Sequence, residues 1–248
     1  MNLYVDIGNS RIKWAQANSE LIHSYDAYFY NKDNIIDRVE STWKILPRPD
    51  QVFISNVAGE VVANIISSYI ENSWSISATF LSVSKEAVGV INGYNEINQL
   101  GIDRWLAIIA GWNLYQKAVC VVDCGTALTV DVITATGQHK GGYIVPGSRL
   151  MAEVLNGRTH LINSEANPKT SRHPGTITSE CIANGALGAT AALIESVFEH
   201  LKREYGKDSQ CVITGGGADE IRELLSFDAN YEPHLVLIGI ATLIDNSS

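Results

Sequence analysis

Several common devices are missing from this 248-residue chain, and each absence removes a class of function. No stretch approaches the roughly eighteen uncharged apolar residues of an ordinary transmembrane helix. The N-terminus runs from Met1 straight into an apolar segment ending at Asp6, without the basic region, apolar core and small-residue cleavage site of an export signal. A cytoplasmic protein with no membrane partner is expected. Cysteine is scarce: Cys120, Cys124, Cys181 and Cys211 form no C-x-x-C pair, so neither a disulfide framework nor a zinc site is expected. Positive charge is in deficit, with 18 Lys and Arg against 27 Asp and Glu and a net charge of −9. The deficit is even along the chain, with 8 basic against 12 acidic residues through Trp112 and 10 against 15 after it. An acidic surface repels a phosphate backbone, so no nucleic-acid partner is expected and any nucleotide must be held by a local site. Two familiar phosphate motifs are missing as well. No Gly-x-x-x-x-Gly-Lys-Ser/Thr loop occurs, and the glycines after Thr214 lack the third spaced glycine of a dinucleotide fingerprint, whose place is taken by Glu220.

What is present is ordinary globular material, 46% hydrophobic and 18% charged. Short apolar runs alternate with amphipathic segments, the pattern of an α/β protein. Leu3–Asp6, Ile12–Ala17 and Leu21–Tyr28 are expected as a three-stranded antiparallel meander. Ile35, Ile36, Val39 and Trp43 have helical spacing; a strand at Val52–Val57, a helix from Glu60 and a strand at Ala78–Val83 complete a mixed sheet. After the Asn- and Gly-rich stretch from Gly93 to Gly101, Asp103 opens a helix through Trp112. Then the pattern restarts. Ala118–Asp123, Leu128–Ile133 and Gly141–Val145 read as strands. Helices at Ser148–Leu155 and Ser179–Tyr205, a strand at Cys211–Thr214, a helix at Ala218–Leu225 and a closing helical segment at Leu235–Ile244 follow. Each half begins strand, Asp-x-Gly, strand, strand. Nothing in a single domain requires that recurrence, so a duplicated unit is expected, divided into residues 1–112 and 113–248. Asn163 to Thr176 reads as a loop.

Asp6-Ile7-Gly8-Asn9-Ser10 carries an acid at a strand end, a glycine that allows close backbone approach, and two short polar side chains. Backbone N–H groups in such a turn can point at phosphate oxygens, while Asp6 faces the accompanying divalent cation directly or through water. Lys13 can reach a phosphate from the following strand. The same residues also suit an ordinary hairpin turn. Asp123-Cys124-Gly125-Thr126 repeats the arrangement with a hydroxyl in place of Asn9. Two such turns acting together clamp a nucleotide's phosphates, and phosphoryl transfer depends chiefly on positioning and charge neutralisation. Val212 to Ala218 runs from a strand through three glycines into a helix, which leaves open backbone for adenosine or is simply a helix-entry turn. Tyr94 with Gly101-Ile102-Asp103-Arg104 offers an acceptor site: Asp103 as base for an attacking hydroxyl, Arg104 as bidentate holder of a polar or anionic group. Asp is equally a favoured helix cap, and a helix N-terminus weakens it as a base, which a loose phosphoryl transition state tolerates.

In this order and within this length, these elements resemble the type III pantothenate kinases, small bacterial members of the acetate kinase, sugar kinase and actin superfamily. The likeness spans nearly the whole chain. Asp6-Ile7-Gly8-Asn9-Ser10-Arg11-Ile12-Lys13 is similar to the family's first phosphate motif, Val122 to Ala127 to its second, Gly101 to Arg104 to its substrate motif, and Gly141 to Gly147 to a further family stretch. The resemblance implies duplicated ribonuclease H-like (actin-like ATPase) domains, each a mixed sheet with flanking helices. It implies ATP with Mg²⁺ as donor, held by Asp6 to Lys13 and Thr126, and pantothenate as acceptor. Asp103 is implied as the general base, with Tyr94, Gly101, Ile102 and Arg104 at the substrate. Asp123 is implied as ligand of a monovalent cation, potassium or ammonium. Thr178 matches a substrate-contacting threonine, with Thr176 competing because Arg172 to Gly175 departs from the family's lead-in. His160 is a candidate for a phosphate role, against a plain loop histidine. A homodimer is implied too, with Ala186, Ala189, Ala192 and Leu193 as packing surface on the long helix. Two other readings stay open: an actin-fold kinase for another small hydroxyl acceptor, and a non-catalytic nucleotide-binding regulator of the same family.

Overall fold

The apolar run Asn2–Ile7 forms β1, whose burial on both faces suits the middle of a sheet. That is where it lies in the computed structural model, which describes residues 1–18, 21–30, 34–158, 171 and 173–246. β2 (Arg11–Asn18) returns antiparallel to β1, and β3 (Leu21–Phe29) antiparallel to β2, as the meander predicted. α1 (Ile35–Trp43) leads to β4 (Val52–Asn56), which pairs with β1 in parallel. α2 (Glu60–Trp74) then leads to β5 (Ala78–Phe80), giving the order β3-β2-β1-β4-β5. Alternation along β1 sends Leu3, Val5 and Ile7 into a core with Ile35, Val39 and Trp43 of α1 and Val62, Ile66, Ile70 and Trp74 of α2. There the Trp43 and Trp74 rings stack at 6.0 Å. Tyr4 and Asp6 therefore belong to the opposite face of the sheet.

A hairpin of β6 (Glu86–Ala87) and β7 (Val90–Ile91) precedes α3 (Ile102–Tyr115). α3 is buried almost all round from Ile102 to Gly111, as an apolar helix inside a core must be.

The second sheet repeats the first. β8 (Val119–Cys124) pairs antiparallel with β9 (Ala127–Ile133), and β9 with β10 (His139–Pro146). After α4 (Ser148–Arg158) and α5 (Thr178–Tyr205), β11 (Gln210–Thr214) lies parallel to β8. α6 (Ala218–Arg222) and β12 (Asn230–Tyr231) complete the order β10-β9-β8-β11-β12. Position for position, this is the order of the first sheet. α5 is long and apolar enough by length and composition to cross a membrane. Its apolar side is instead accounted for by the core of this sheet, where Leu187, Ala191, Ile194, Phe198 and Leu201 pack with Val122, Leu128 and Ile213.

α7 (Leu235–Asp245) packs on β1, β2 and β4. Gly239 makes this possible, since a Cβ there would sit 2.1 Å from the Leu106 carbonyl oxygen of α3. The contacts accordingly divide the chain into Met1–Asn113 with His234–Ser248, and Leu114–Pro233. The expected division assigned all of 113–248 to the second half; the closing helix groups with the first because its apolar face is needed there.

Candidate active site

In the first turn, Gly8 N donates to Arg11 O at 3.0 Å between the paired Ile7 and Ile12. Val57 N donates to Ile7 O at 3.0 Å, the Tyr30 hydroxyl to Gly8 O at 2.7 Å, and Tyr30 N to Ser10 O at 3.2 Å. With these carbonyls committed to protein donors, the electronegative side of the turn faces inward, and its exposed tip at Asn9 and Ser10 suits an anion. Asp6, at the end of β1, is nearly buried, and its Oδ1 accepts from Ser55 Oγ at 3.0 Å. Lys13 lies opposite Asp6 in register, and the Arg11 guanidinium lies 4.6 Å from the Phe29 ring centroid. Ile7 and Ile12, grouped with the phosphate motif by sequence, place their side chains wholly in the core, so only their backbone belongs to the turn.

The second turn is one residue shorter. Gly125 N donates to Ala127 O at 3.1 Å between the paired Cys124 and Leu128. Gly217 N donates to Cys124 O at 2.9 Å, the counterpart of Val57 on Ile7. Backbone crowds this turn. A Cβ on Gly147 would lie 2.4 Å from Gly125 O, and one on Gly215, where φ is +96°, 2.4 Å from Asp123 Oδ1. The glycines at 147 and 215 are thus explained by close approach to the turn. Asp123 is partly buried beside Thr214, its partner in parallel register. Burial, with the Asp123 charge second, pushes the Cys124 thiol well up, so it stays protonated and is no nucleophile.

The residues expected at an acceptor meet at the first turn of α3. Trp105 N donates to Gly101 O at 3.0 Å, so the helix is already under way at Asp103, and that residue sits inside it instead of capping it. Asp103 Oδ1 accepts from Arg104 N at 2.8 Å and lies over Gly101, where a Cβ would be 2.6 Å away. Arg104 is buried, and its Nη1 donates to the Tyr94 hydroxyl at 2.8 Å. Ile102 is buried too, so its side chain serves the core. Tyr94 is tethered in turn, donating its N–H to Asn92 Oδ1 at 2.9 Å, while Asn92 N bonds Lys85 O at 2.9 Å. The β6–β7 hairpin carries this tether. It turns through Val88 and Gly89, with φ of 48° and 81°, and brings Gly89 so near the Trp112 ring that a Cβ there would lie 2.7 Å from it. Sequence reading missed both the hairpin and Asn92; Gly89 ahead of the apolar Val90-Ile91 is the faint signal for it.

Of the competing threonines, Thr176 is engaged locally: its N and Oγ1 donate to Glu180 Oε2 at 2.9 and 3.3 Å. Thr178 is the exposed first residue of α5. His160 lies outside the described residues. Ala186 is buried in the second core, whereas Ala189 and Ala192 are exposed. His234, just before α7, is a further basic group that sequence reading passed over. Its imidazole pKa is lowered by burial and then by the charge of Lys13.

Two sheets of identical strand order, each leading its central strand through an acid into a glycine turn, define a duplicated α/β fold of the actin-like and sugar kinase type. Solved structures agree at the level of fold: ethanolamine utilization protein EutJ from Carboxydothermus hydrogenoformans matches with a TM-score of 0.55 at 15% identity, covering 97% of this chain and 89% of that one. A Campylobacter jejuni protein assigned to the Baf family of transcriptional activators matches with a TM-score of 0.60 at 21% identity, covering 99% and 98%. The family profile described as Type III pantothenate kinase matches residues 2–200. The type III pantothenate kinase of Nitrosococcus oceani is 36% identical over all of this chain and 95% of that protein; that of Pseudomonas paraeruginosa is 34% identical over 97% and 98%. This chain belongs to the type III pantothenate kinase family.

Proposed function

We infer that this protein transfers the γ-phosphate of ATP to the primary hydroxyl of pantothenate, giving 4′-phosphopantothenate at the first step of coenzyme A synthesis. Beside family membership, the observation that carries this reading is the Arg104–Tyr94 bond next to Asp103 in the first turn of α3. A buried guanidinium fixed beside a carboxylate is what an acceptor with both an anionic end and a reacting hydroxyl requires.

Asp103 orients the hydroxyl and takes its proton as the new O–P bond forms and the bond from the γ-phosphorus to ADP breaks. Arg104, Tyr94 and the backbone at Gly101 and Ile102 position the acceptor, and Thr178 adds a further contact. The backbone of Ile7 to Ser10 and Ile12, with Arg11, Lys13 and Thr126, binds ATP. Mg²⁺ carried with ATP would supply charge neutralisation at the phosphates. Asp6, held by Ser55, fits that ion, because Mg²⁺ is ordinarily bound by one or two carboxylates, phosphate oxygens and water. Asp123 serves a monovalent cation, potassium or ammonium, and the partnerless buried hydroxyl of Thr214 beside it fits a site completed by a bound ion or water. The protein works in the cytoplasm as a homodimer, and the exposed Ala189 and Ala192 of α5 suit close helix packing.

The test is ATP consumption with and without pantothenate, for the wild type and Asp103→Asn. Pantothenate-dependent turnover that collapses in the variant is expected. ATP binding with no phosphopantothenate formed sinks the kinase reading in favour of a regulator, and full turnover in the variant reduces Asp103 to a structural residue.

A further inference from the structure

Each acid-bearing strand has a parallel neighbour, and the register sets a hydroxyl residue beside each acid: Ser55 on β4 beside Asp6, Thr214 on β11 beside Asp123. In-register residues of neighbouring strands project to the same face of the sheet, so each hydroxyl is placed to meet its carboxylate. The two differ in what they do. Ser55 is fully buried and its Oγ donates to Asp6 Oδ1 at 3.0 Å, whereas Thr214, equally buried, has its Oγ1 without a hydrogen-bond partner.

That difference is informative because the surrounding topology is shared. Strand order, register and residue class are the same at both positions, so the fold alone does not demand a hydroxyl-to-carboxylate bond there. The bond is present only where the acid is nearly buried at the phosphate turn of Asp6. A charge-assisted bond to one oxygen stops the carboxylate rotating about its terminal torsion, which is otherwise broad and soft.

We propose that Ser55 is the positioning residue of Asp6: it sets the rotation of the carboxylate and so the place where the divalent cation carried with ATP is held. The proposal rests on the reading of Asp6 as the carboxylate that organises that cation. Ser55 itself touches neither nucleotide nor acceptor, and it acts only through Asp6.

The experiment compares the full-length wild type with Ser55→Ala, Ser55→Thr and Asp6→Asn. Two quantities are read: binding of Mn²⁺ with ATP in the absence of pantothenate, by the loss of free-ion electron paramagnetic resonance signal, and the Mg²⁺ concentration for half-maximal rate. Ser55→Ala is expected to weaken Mn²⁺ binding and raise the Mg²⁺ requirement by about 10- to 100-fold, with KM for pantothenate unchanged. Ser55→Thr, which keeps the hydroxyl, restores both. Wild-type ion dependence in Ser55→Ala while Asp6→Asn is impaired overturns the positioning role alone. Failure of Ser55→Thr to restore what Ser55→Ala lost overturns it as well, by pointing to packing. Wild-type ion dependence in Asp6→Asn removes the reading of Asp6, and the proposal falls with it.

Discussion

The Tyr94 hydroxyl accepts a hydrogen bond from Arg104 Nη1 at 2.8 Å, and the Arg104 guanidinium carbon lies 5.5 Å from the centroid of the Tyr94 ring. The phenol thus steadies a buried cation through both its oxygen and its ring. Removing the oxygen alone, in Tyr94→Phe, takes away one bond to a charged group, worth about 1.5 to 3 kcal/mol. A rise in KM for pantothenate on the order of ten-fold or more is expected, with kcat within a few-fold of wild type, in initial rates at saturating ATP. Unchanged KM with a collapsed kcat contradicts the positioning role of this pair.

Gly101 keeps the Asp103 carboxylate where it is. An added Cβ would lie 2.6 Å from Asp103 Oδ1, a contact relieved most easily by moving the carboxylate. Gly101→Ala is expected to lower kcat about 100-fold, the scale of a misplacement near 1 Å, without moving the melting temperature by more than a few degrees. Circular dichroism melts beside single-turnover rates check it, and an unaffected rate shows that Asp103 tolerates displacement.

Gly239 carries a different burden, because its neighbour is backbone. A Cβ there would meet the Leu106 carbonyl oxygen at 2.1 Å, so the side chain could be admitted only if α7 and α3 moved apart. Gly239→Ala is expected to destabilise the protein by about 1 to 3 kcal/mol or more, the cost of overpacking a core. Denaturant titration measures it, and wild-type stability would count against the close α3–α7 contact.

His234 makes stability depend on acid. Burial and then the Lys13 charge hold its pKa below the ordinary 6.5. In the window between the folded and unfolded values, the unfolded chain binds a proton that the folded chain does not. The stability associated with neutral His234 is therefore present above about pH 6.5, is lost as pH falls to the depressed folded value, and is flat below it. His234→Gln is expected to lose less melting temperature than the wild type between pH 7.5 and 5.5. Parallel curves for the two proteins remove His234 from the acid response.

Much of this was legible beforehand for identifiable reasons. β1 and β8 are apolar on both faces, so each announces a central strand, and an acid at the end of such a strand before a glycine is conspicuous. Tyr94 and Arg104 were legible as members of one site, but not as partners of each other, since nothing in their spacing requires contact. The β6–β7 hairpin was not legible, because strands of two residues leave no alternation to detect. Ser55 was hidden for another reason: it reads as the start of the polar end of the strand Val52–Asn56, and its purpose depends on what stands across the sheet.

By itself, the sequence determined the longer strands and helices, that the unit is duplicated, and which turns carry acid and glycine, because these follow from local periodicity and turn chemistry. Only the tertiary structure decided that α7 closes over the first sheet, that Asp103 lies within its helix and not at its cap, and that the Ser55 hydroxyl bonds Asp6 while the Thr214 hydroxyl makes no bond to Asp123. Those outcomes turn on register and on the approach of backbones far apart in the chain, which no local pattern encodes.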